Sequence, residues 1–170
     1  MEYRRLNKND LDAYFANRLR ALEHSPSAFL TTLEEEKARG NAHFEKTLAH
    51  DGSDKAIFGA VSRGIVLGTV GIFREERPKT RHKAMIWGMY VDLDQRNKGI
   101  GGKILDLAIQ LARDEMTDNA RYLSVETEND SARKLYESRG FKVWGTEPKA
   151  MRWDNKFWEE HHMVLELSSR

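Results

Sequence analysis

A strand, a glycine-rich turn and a strongly amphipathic helix follow one another in the middle of the chain, and they constrain the fold more than any other segment. Residues Ala84–Val91 have the composition of a buried strand, and Tyr122–Thr127 alternates apolar and polar side chains as a second strand does. Between them, Gly99–Arg113 is predicted to be a helix because its apolar side chains form one stripe. That stripe consists of Ile100, Ile104, Leu107, Ala108 and Leu111. Strands joined by such a crossover run parallel in one sheet.

The remaining periodic segments predict a mixed sheet with helices on its faces. Five further strands are predicted, at Tyr3–Leu6, Lys55–Val61, Ile65–Phe73, Phe141–Thr146 and Met163–Leu167. Three further helices are predicted, at Leu11–Glu23, Ala42–His50 and Ser131–Arg139. Residues Ser62–Gly64 are expected to form a hairpin turn. We therefore expect an α/β chain of mixed type, with a mostly antiparallel sheet of about seven strands and about four helices.

The composition fits one domain spanning residues 1–170 and argues against several classes of protein. Cysteine is absent, which removes disulfides and thiolate metal sites, and we expect no metal. No apolar run is long enough to cross a bilayer and no signal region is visible, so we expect a cytoplasmic location without membrane contact. A net charge of +1 argues against nucleic acid as a partner.

A basic segment and a pair of adjacent histidines do not predict a partner site or a metal site. Residues 74–83 include six basic side chains and two acidic ones. Because charge runs usually face solvent, we interpret this segment as a solvated hairpin loop in preference to a partner site. His161 and His162 are adjacent, and adjacent residues of a strand point to opposite faces, so they do not readily share a metal. We interpret both as structural or solvent-facing.

The glycine-rich turn has the properties of an anion site. Gly99, Gly101 and Gly102 let backbone N–H groups converge, and the first turn of the helix adds unsatisfied N–H groups and the positive end of its dipole. Arg96, Lys98 and Lys103 contribute formal positive charge. Neither the Walker spacing nor the dinucleotide-binding spacing fits, because isoleucine occupies the position after Lys103. The turn therefore predicts phosphate binding of another kind.

Two motifs together indicate a family. Arg96, Gly99 and Gly101 match the pattern Arg-x-x-Gly-x-Gly. About thirty residues later, the segment Asn129–Phe141 matches Asn-x-x-Ala-x-x-Leu-Tyr-x-x-x-Gly-Phe. The chain resembles the GCN5-related N-acetyltransferase (GNAT) superfamily in both motifs and in their order along the strands and helices. The resemblance implies a GNAT-like domain whose parallel strand pair is splayed, and acetyl-CoA as co-substrate.

The resemblance also implies which residues bind coenzyme A. The backbone of Met89, Tyr90 and Val91 would pair with pantetheine. The pyrophosphate would lie on the turn, formed by Arg96, Asn97, Lys98, Gly99, Ile100, Gly101, Gly102 and Lys103. The second motif would contribute Asn129, Ser131, Arg133 and Tyr136.

The implied reaction is direct attack of an amine on the thioester in a ternary complex. By resemblance, Tyr136 is expected to be the general acid that protonates the departing thiolate. A backbone N–H such as that of Val91 would polarise the carbonyl. The proton acceptor for the amine is less determined, because the strand Ala84–Val91 contains no acidic residue. Glu126 is the first candidate, Glu128 the second, and a water relay remains an alternative.

The predicted function is thus N-acetyl transfer to a primary amine of a small molecule or peptide. The alternative is a non-catalytic acyl-CoA-binding module that acts as a sensor or interaction partner. The acceptor would be selected by Leu19–His50 and by a late loop, Glu147–Glu160. The length of that loop also permits a homodimer through the terminal strands.

Overall fold

The computed structural model describes residues 1–116 and 120–166, whose strands form one seven-stranded sheet. The strands are β1 (Glu2–Arg5), β2 (Lys55–Ser62), β3 (Ile65–Arg74), β4 (Lys83–Val91), β5 (Ala120–Glu126), β6 (Lys142–Trp153) and β7 (Lys156–Glu166). The α-helices are α1 (Leu11–His24), α2 (Leu33–Arg39), α3 (Ala42–Ala49), α4 (Ile100–Leu111) and α5 (Asp130–Glu137). The strand order is β1-β2-β3-β4-β5-β7-β6. Among the described strands, β4 and β5 form a parallel pair and the other neighbours are antiparallel, which confirms the predicted fold class.

The parallel strands pair only at one end. Lys83 to Met85 face Ala120 to Tyr122, and the register goes no further, so the two strands separate toward the end of β4. A β-bulge accompanies this separation: Tyr90 faces Thr69 whereas Trp87 faces Gly71, so two residues of β4 oppose one of β3. Gly88 within the bulge has φ 63°, a conformation that favours glycine. A bulge bends its strand and increases the local twist, which opens a gap between β4 and β5.

Helices cover both faces of the sheet. On one face, the apolar stripe of α4 packs against β2, β3 and β4, and its members Ile104 and Ala108 are fully buried. Gly101 lets this helix lie close to its neighbours, since a Cβ there would be 3.1 Å from Met89 Cε and 3.3 Å from Leu135 Cδ2. On the other face, α1 and α3 enclose a second cluster of apolar side chains. It includes Leu6, Tyr14, Phe44, Leu48 and Ile57.

Several local predictions agree with the structure. The hairpin between β2 and β3 turns at Arg63 and Gly64, which both have positive φ, 50° and 77°, as a type I′ hairpin turn requires. The amphipathic helix begins at Ile100, and the strand after it is parallel to β4 as expected. Leu167, the last residue of the final predicted strand, lies outside the described residues.

The late loop is the main correction. Residues predicted as the loop Glu147–Glu160 instead extend β6 and β7 into a long antiparallel hairpin that turns at Asp154 and Asn155. The predicted strand Phe141–Thr146 was too short because polar side chains on both faces of β6 give no apolar alternation, and Pro148 is ordinarily a strand breaker. Here Pro148 lies at a register irregularity of the edge strand, where no ladder hydrogen bond is required of it.

The helix count also differs, since the sequence predicted four helices and did not include α2. The helix is short and contains three consecutive glutamates, so it has little apolar periodicity. Its start is nevertheless encoded by a capping box between Thr32 and Glu35, with reciprocal distances of 2.8 and 3.1 Å. Among the described helices, none has the length and apolar character to cross a bilayer.

Candidate active site

The gap between β4 and β5 contains a small cavity of about 70 Å³. Its walls come from the bulge of β4, the end of β5, the start of α5 and the segment after α1. Four residues predicted from the sequence meet there: Met89, Glu126, Asn129 and Tyr136. The second motif thus contributes Asn129 and Tyr136 to this cavity, whereas Arg96, Gly99 and Gly101 of the first motif do not line it.

Tyr136 lies on α5 with its ring against Phe141, and the two ring centroids are 6.0 Å apart. The residue is 5% exposed, and this burial raises the pKa of its phenol, so the hydroxyl remains protonated near neutral pH. Within the described part of the chain, no group forms a hydrogen bond with the Tyr136 hydroxyl. The O–H is therefore available as a donor to a ligand in the cavity.

Glu126 and Glu128, the two candidate bases, have different surroundings. Glu126 is 9% exposed and lines the cavity; its Oε1 accepts the backbone N–H of Glu128 at 2.9 Å, and Ser27 Oγ donates to Oε2 at 3.4 Å. The Glu128 side chain is exposed and pairs with Lys156 Nζ at 2.7 Å. It does not line the cavity. The position of Glu126 therefore favours it over Glu128.

A third carboxylate was missed by the sequence analysis. Glu160 on β7 lies directly across the sheet from Glu126, and burial raises its pKa, with Glu147 and Glu126 adding to that rise. Beside it, His162 links two strands: its Nδ1 lies 3.0 Å from Ser124 Oγ, and its Nε2 lies 2.9 Å from Glu147 Oε2. The sequence analysis assigned Glu147 and Glu160 to a loop and His162 to a structural or solvent-facing role. The spacing of two residues between Glu160 and His162 places both on one face only once this segment is known to be a strand.

The glycine-rich turn has the backbone geometry of an anion site. Gly99 caps α4 with φ 75°, and Asn97 before it also has a positive φ of 62°. The helix then begins at Ile100, so the N–H groups of its first turn point out of the helix without an intrahelical partner. Residues 96–99 are exposed, which leaves this end of α4 open to a ligand.

The predicted cations around the turn are held in different ways. Arg96 Nε donates to the Val91 carbonyl at 3.1 Å, and its guanidinium approaches the Tyr90 ring at 5.8 Å. Lys98 Nζ donates to Gln95 at 3.1 Å, and Lys103 Nζ lies 4.8 Å from the Tyr3 ring centroid. Arg96 is thus folded back on the strand, whereas both lysines remain on the exposed surface.

Three of the predicted binding residues have structural contacts within α5 or at its start. Asn129 caps α5 by accepting the N–H of Ala132 at 3.2 Å, and Ser131 Oγ donates to the same oxygen at 3.1 Å. Arg133 forms ion pairs with the carboxylates of Asp130 and Glu137 at 2.7 and 3.2 Å. Asn129 also lines the cavity, whereas Ser131 and Arg133 do not.

The end of β4 is anchored by a buried polar network. Asp92, 8% exposed, accepts hydrogen bonds from Arg20 Nε at 3.0 Å, Arg20 Nη2 at 2.9 Å and Asn17 Nδ2 at 3.2 Å. Thr69 Oγ1 donates to Asn17 at 3.1 Å, and Arg20 also donates to the Val66 carbonyl at 2.8 Å. The network joins α1 to β3 and to Asp92, the residue that directly follows β4.

Comparison with known proteins identifies the family. The model of the acetyltransferase (GNAT) family matches residues 17–141. The chain belongs to this family. Among curated proteins, the L-amino acid N-acetyltransferase AaaT of Escherichia coli (strain K12) is 23% identical over 146 residues, which are 86% of this chain and 88% of that protein.

Solved structures of GNAT proteins share the fold. The structure of yncA from Salmonella typhimurium, determined with its cofactor acetyl-CoA, has a TM-score of 0.84 and 21% identity, with 100% of this chain and 95% of that chain covered. A phosphinothricin acetyltransferase from Sinorhizobium meliloti in complex with acetyl-CoA has a TM-score of 0.80 and 16% identity, with 98% and 88% covered. At these identities the likeness establishes the fold of this GNAT protein.

Proposed function

We propose that this protein is an acetyl-CoA-dependent N-acetyltransferase, formed by one domain, that acts on a primary amine by direct attack in a ternary complex. The observation that supports this most directly is the cavity in the splayed gap, where Tyr136 and Glu126 line the same space. The exposed glycine-rich turn lies between α4 and β4, the strand whose bulge lines this cavity. Membership of the GNAT family supports the class of reaction.

The residues present fit acetyl-CoA, whose thioester supplies an activated acetyl group. We assign the pyrophosphate to the first-turn N–H groups of α4, with Lys98 and Lys103 on the adjacent exposed surface. Pantetheine would follow the edge of β4 that faces the gap. Val91 belongs to this edge. The backbone N–H of Asp92 donates to the Leu67 carbonyl of β3 at 2.9 Å, so the backbone N–H and C=O of Val91 point away from β3.

In the proposed reaction, one group of the protein polarises the thioester carbonyl and another accepts the proton of the attacking amine. Met89 lies in the bulge and lines the cavity, so we place the N–H that polarises the thioester carbonyl there, instead of at Val91, which does not line it. The acceptor binds as free amine after its ammonium has lost one proton to solvent. As its nitrogen bonds to the carbonyl carbon, Glu126 takes the second proton.

The carbon–sulfur bond then breaks, and Tyr136 donates its proton to the thiolate. Proton transfer from Glu126 back to the phenolate restores both groups, so one proton is released overall for each acetyl group transferred. The burial that keeps the phenol protonated also weakens it as an acid. That observation favours the second candidate function, a non-catalytic acyl-CoA-binding module.

Thiol release from acetyl-CoA distinguishes the two functions. We expect release that depends on one class of acceptor in a panel of polyamines, amino acids, aminoglycosides and short peptides. Tyr136→Phe should lower kcat by about 100-fold or more with little change in the KM of acetyl-CoA, because the lost group acts only as the bond breaks. Binding of acetyl-CoA without release for any acceptor would leave the non-catalytic role.

A matched pair of variants tests the base. Glu126→Gln should lower kcat by about 100-fold. Glu128→Gln should leave kcat near the wild-type value, because that side chain is exposed and pairs with Lys156 outside the cavity. The reverse result would assign the proton acceptor to Glu128.

A further inference from the structure

A second and larger cavity, of about 460 Å³, adjoins the cavity in the gap and shares Leu123 and Ser124 with it. Its walls come from β4, β5, the β6–β7 hairpin and the basic segment 74–83. A cavity of this size accommodates a small organic molecule or a short peptide. Because Ser124 lies where the two cavities meet, an occupant would reach the proposed thioester position from this side.

Three carboxylates that do not line the larger cavity lie next to its Ser124 end. Beyond Ser124, the carboxylates of Glu126, Glu147 and Glu160 lie on the same face of the sheet, as the register of β5, β6 and β7 requires. Glu147 also lies 2.9 Å from His162, which lines the cavity. Negative groups at this end attract an ammonium and would bring the amine of an acceptor to the junction.

The opposite end is basic. Arg77 and Lys83 line it, together with Glu75 and Thr80. The Lys83 ammonium lies 5.1 Å from the Tyr122 ring centroid. Among residues 1–116 and 120–166, no carboxylate forms an ion pair with either Arg77 or Lys83, so both cations remain available to an anionic group.

Apolar side chains separate the two ends. Met85 and Tyr122 contribute from adjacent strands, and Trp144 lies over His162 with ring centroids 5.5 Å apart. Such walls suit an apolar or aromatic side chain of a ligand.

The spacing of the ends sets the length of the occupant. Lys83 pairs with Ala120, four residues from Ser124, and its ammonium reaches the ring of Tyr122, two residues from Ser124. At about 3.3 Å per residue, the basic end lies about 7–13 Å from Ser124 along the strand. An extended peptide spans that distance with about two to four residues. The amine and carboxylate of a single amino acid are only two bonds apart and do not reach both ends.

We propose that the larger cavity is the acceptor subsite and that it binds a short peptide of about two to four residues. The α-amino group of the peptide is placed at Ser124 for acetylation, its first side chain packs against Trp144 and Tyr122, and its C-terminal carboxylate contacts Lys83 and Arg77. This inference rests on the proposed function, because the acetyl donor must lie in the adjoining gap.

The test uses three acceptors of increasing length: phenylalanine, phenylalanyl-glycine and phenylalanyl-glycyl-glycine, each as free acid and as C-terminal amide. With wild-type protein, thiol release should show a KM about fivefold lower for the free acid than for the amide of the tripeptide, which is the size of one exposed charge interaction. Lys83→Gln and Arg77→Gln should each bring this amide-to-acid KM ratio toward one.

Matched controls come from the same basic segment. Lys79→Gln and Arg81→Gln remove an equal charge from residues that do not line the cavity, so they should keep the wild-type ratio. Thermal unfolding of all four variants shows whether each is folded.

The possible results distinguish a wrong acceptor subsite from a wrong proposed function. Equal KM values for acid and amide, a ratio that Lys83→Gln and Arg77→Gln leave unchanged, or kcat/KM for phenylalanine equal to that of the tripeptide would overturn the inference while leaving the acetyltransferase intact. Absence of thiol release with every acceptor would instead overturn the proposed function, and the acceptor subsite with it.

Discussion

The contact between Arg20 and Asp92 should stabilise the protein far more than an ordinary surface ion pair. Arg20 donates two hydrogen bonds to the Asp92 carboxylate, at 3.0 and 2.9 Å. Among the described side chains, Arg20→Ala leaves that buried carboxylate with Asn17 as its one remaining donor. Removing one partner of a fully buried pair costs about 3–5 kcal/mol. The Arg20 side chain is 32% exposed, so water replaces part of the loss. We expect Arg20→Ala to cost about 2–3 kcal/mol of the free energy of unfolding.

Urea unfolding at pH 7 measures this cost, and a double-mutant cycle with Asp92→Asn isolates the pair. The coupling free energy between the two changes should exceed about 1 kcal/mol, because the residues share the same hydrogen bonds. Lys156→Ala serves as the control, since it breaks an exposed pair with Glu128 and should cost less than about 1 kcal/mol.

Arg20→Ala should also raise the KM of acetyl-CoA, because the Asp92 that it anchors lies between β4 and the glycine-rich turn. A cost below about 1 kcal/mol for Arg20→Ala, or additivity of the two changes, would refute the view that this network anchors β4.

Three further predictions concern backbone geometry and pH. Gly99→Ala forces alanine into φ 75° at the cap of α4. We expect urea unfolding to show a loss of about 1 kcal/mol and steady-state kinetics to show a raised KM for acetyl-CoA. An unchanged KM would argue against the turn as the binding site of acetyl-CoA. Gly88→Ala imposes the same strain at φ 63° in the bulge, and we expect kcat to fall more than KM rises. If steady-state kinetics show the opposite, the bulge does not form part of the acyl site. Burial raises the pKa of Glu160 above 4.5, so the folded state binds more protons and loses stability as pH rises through the raised pKa. Glu160→Gln should therefore gain stability relative to wild type between pH 4 and pH 8 in urea unfolding, whereas a pH-independent difference would contradict this.

Much of the fold was predictable because it depends on short-range patterns. The apolar stripe of α4 and the short spacing between Val91 and Ile100 determine the crossover, and the Arg63–Gly64 turn determines the β2–β3 hairpin. The residues of the gap were predictable for a similar reason, since Tyr136 and Asn129 belong to one local motif. None of these inferences required knowing which distant strands are neighbours.

The acidic face was not predictable in this way because it is created by register. Glu126 and Glu160 become neighbours only through the pairing of β5 with β7, and Glu147 joins them only through the pairing of β7 with β6. In sequence, these residues look like isolated surface charges. The same packing half-buries Glu160 and thereby raises its pKa. No local sequence pattern predicts this.

The basic segment 74–83 shows why a charge count cannot separate a binding surface from a solvated one. Its cations follow each other within ten residues, yet Arg77 and Lys83 line the large cavity whereas Lys79 and Arg81 do not. The difference arises from the point at which the hairpin enters β4: Lys83 is the first strand residue and pairs with Ala120, which fixes its backbone beside β5. A count of six basic residues assigns the same weight to all of them. Only their positions relative to Tyr122 and Ser124 place two of them in the wall of the large cavity. For that reason the matched glutamine variants compare residues of equal charge and unequal position.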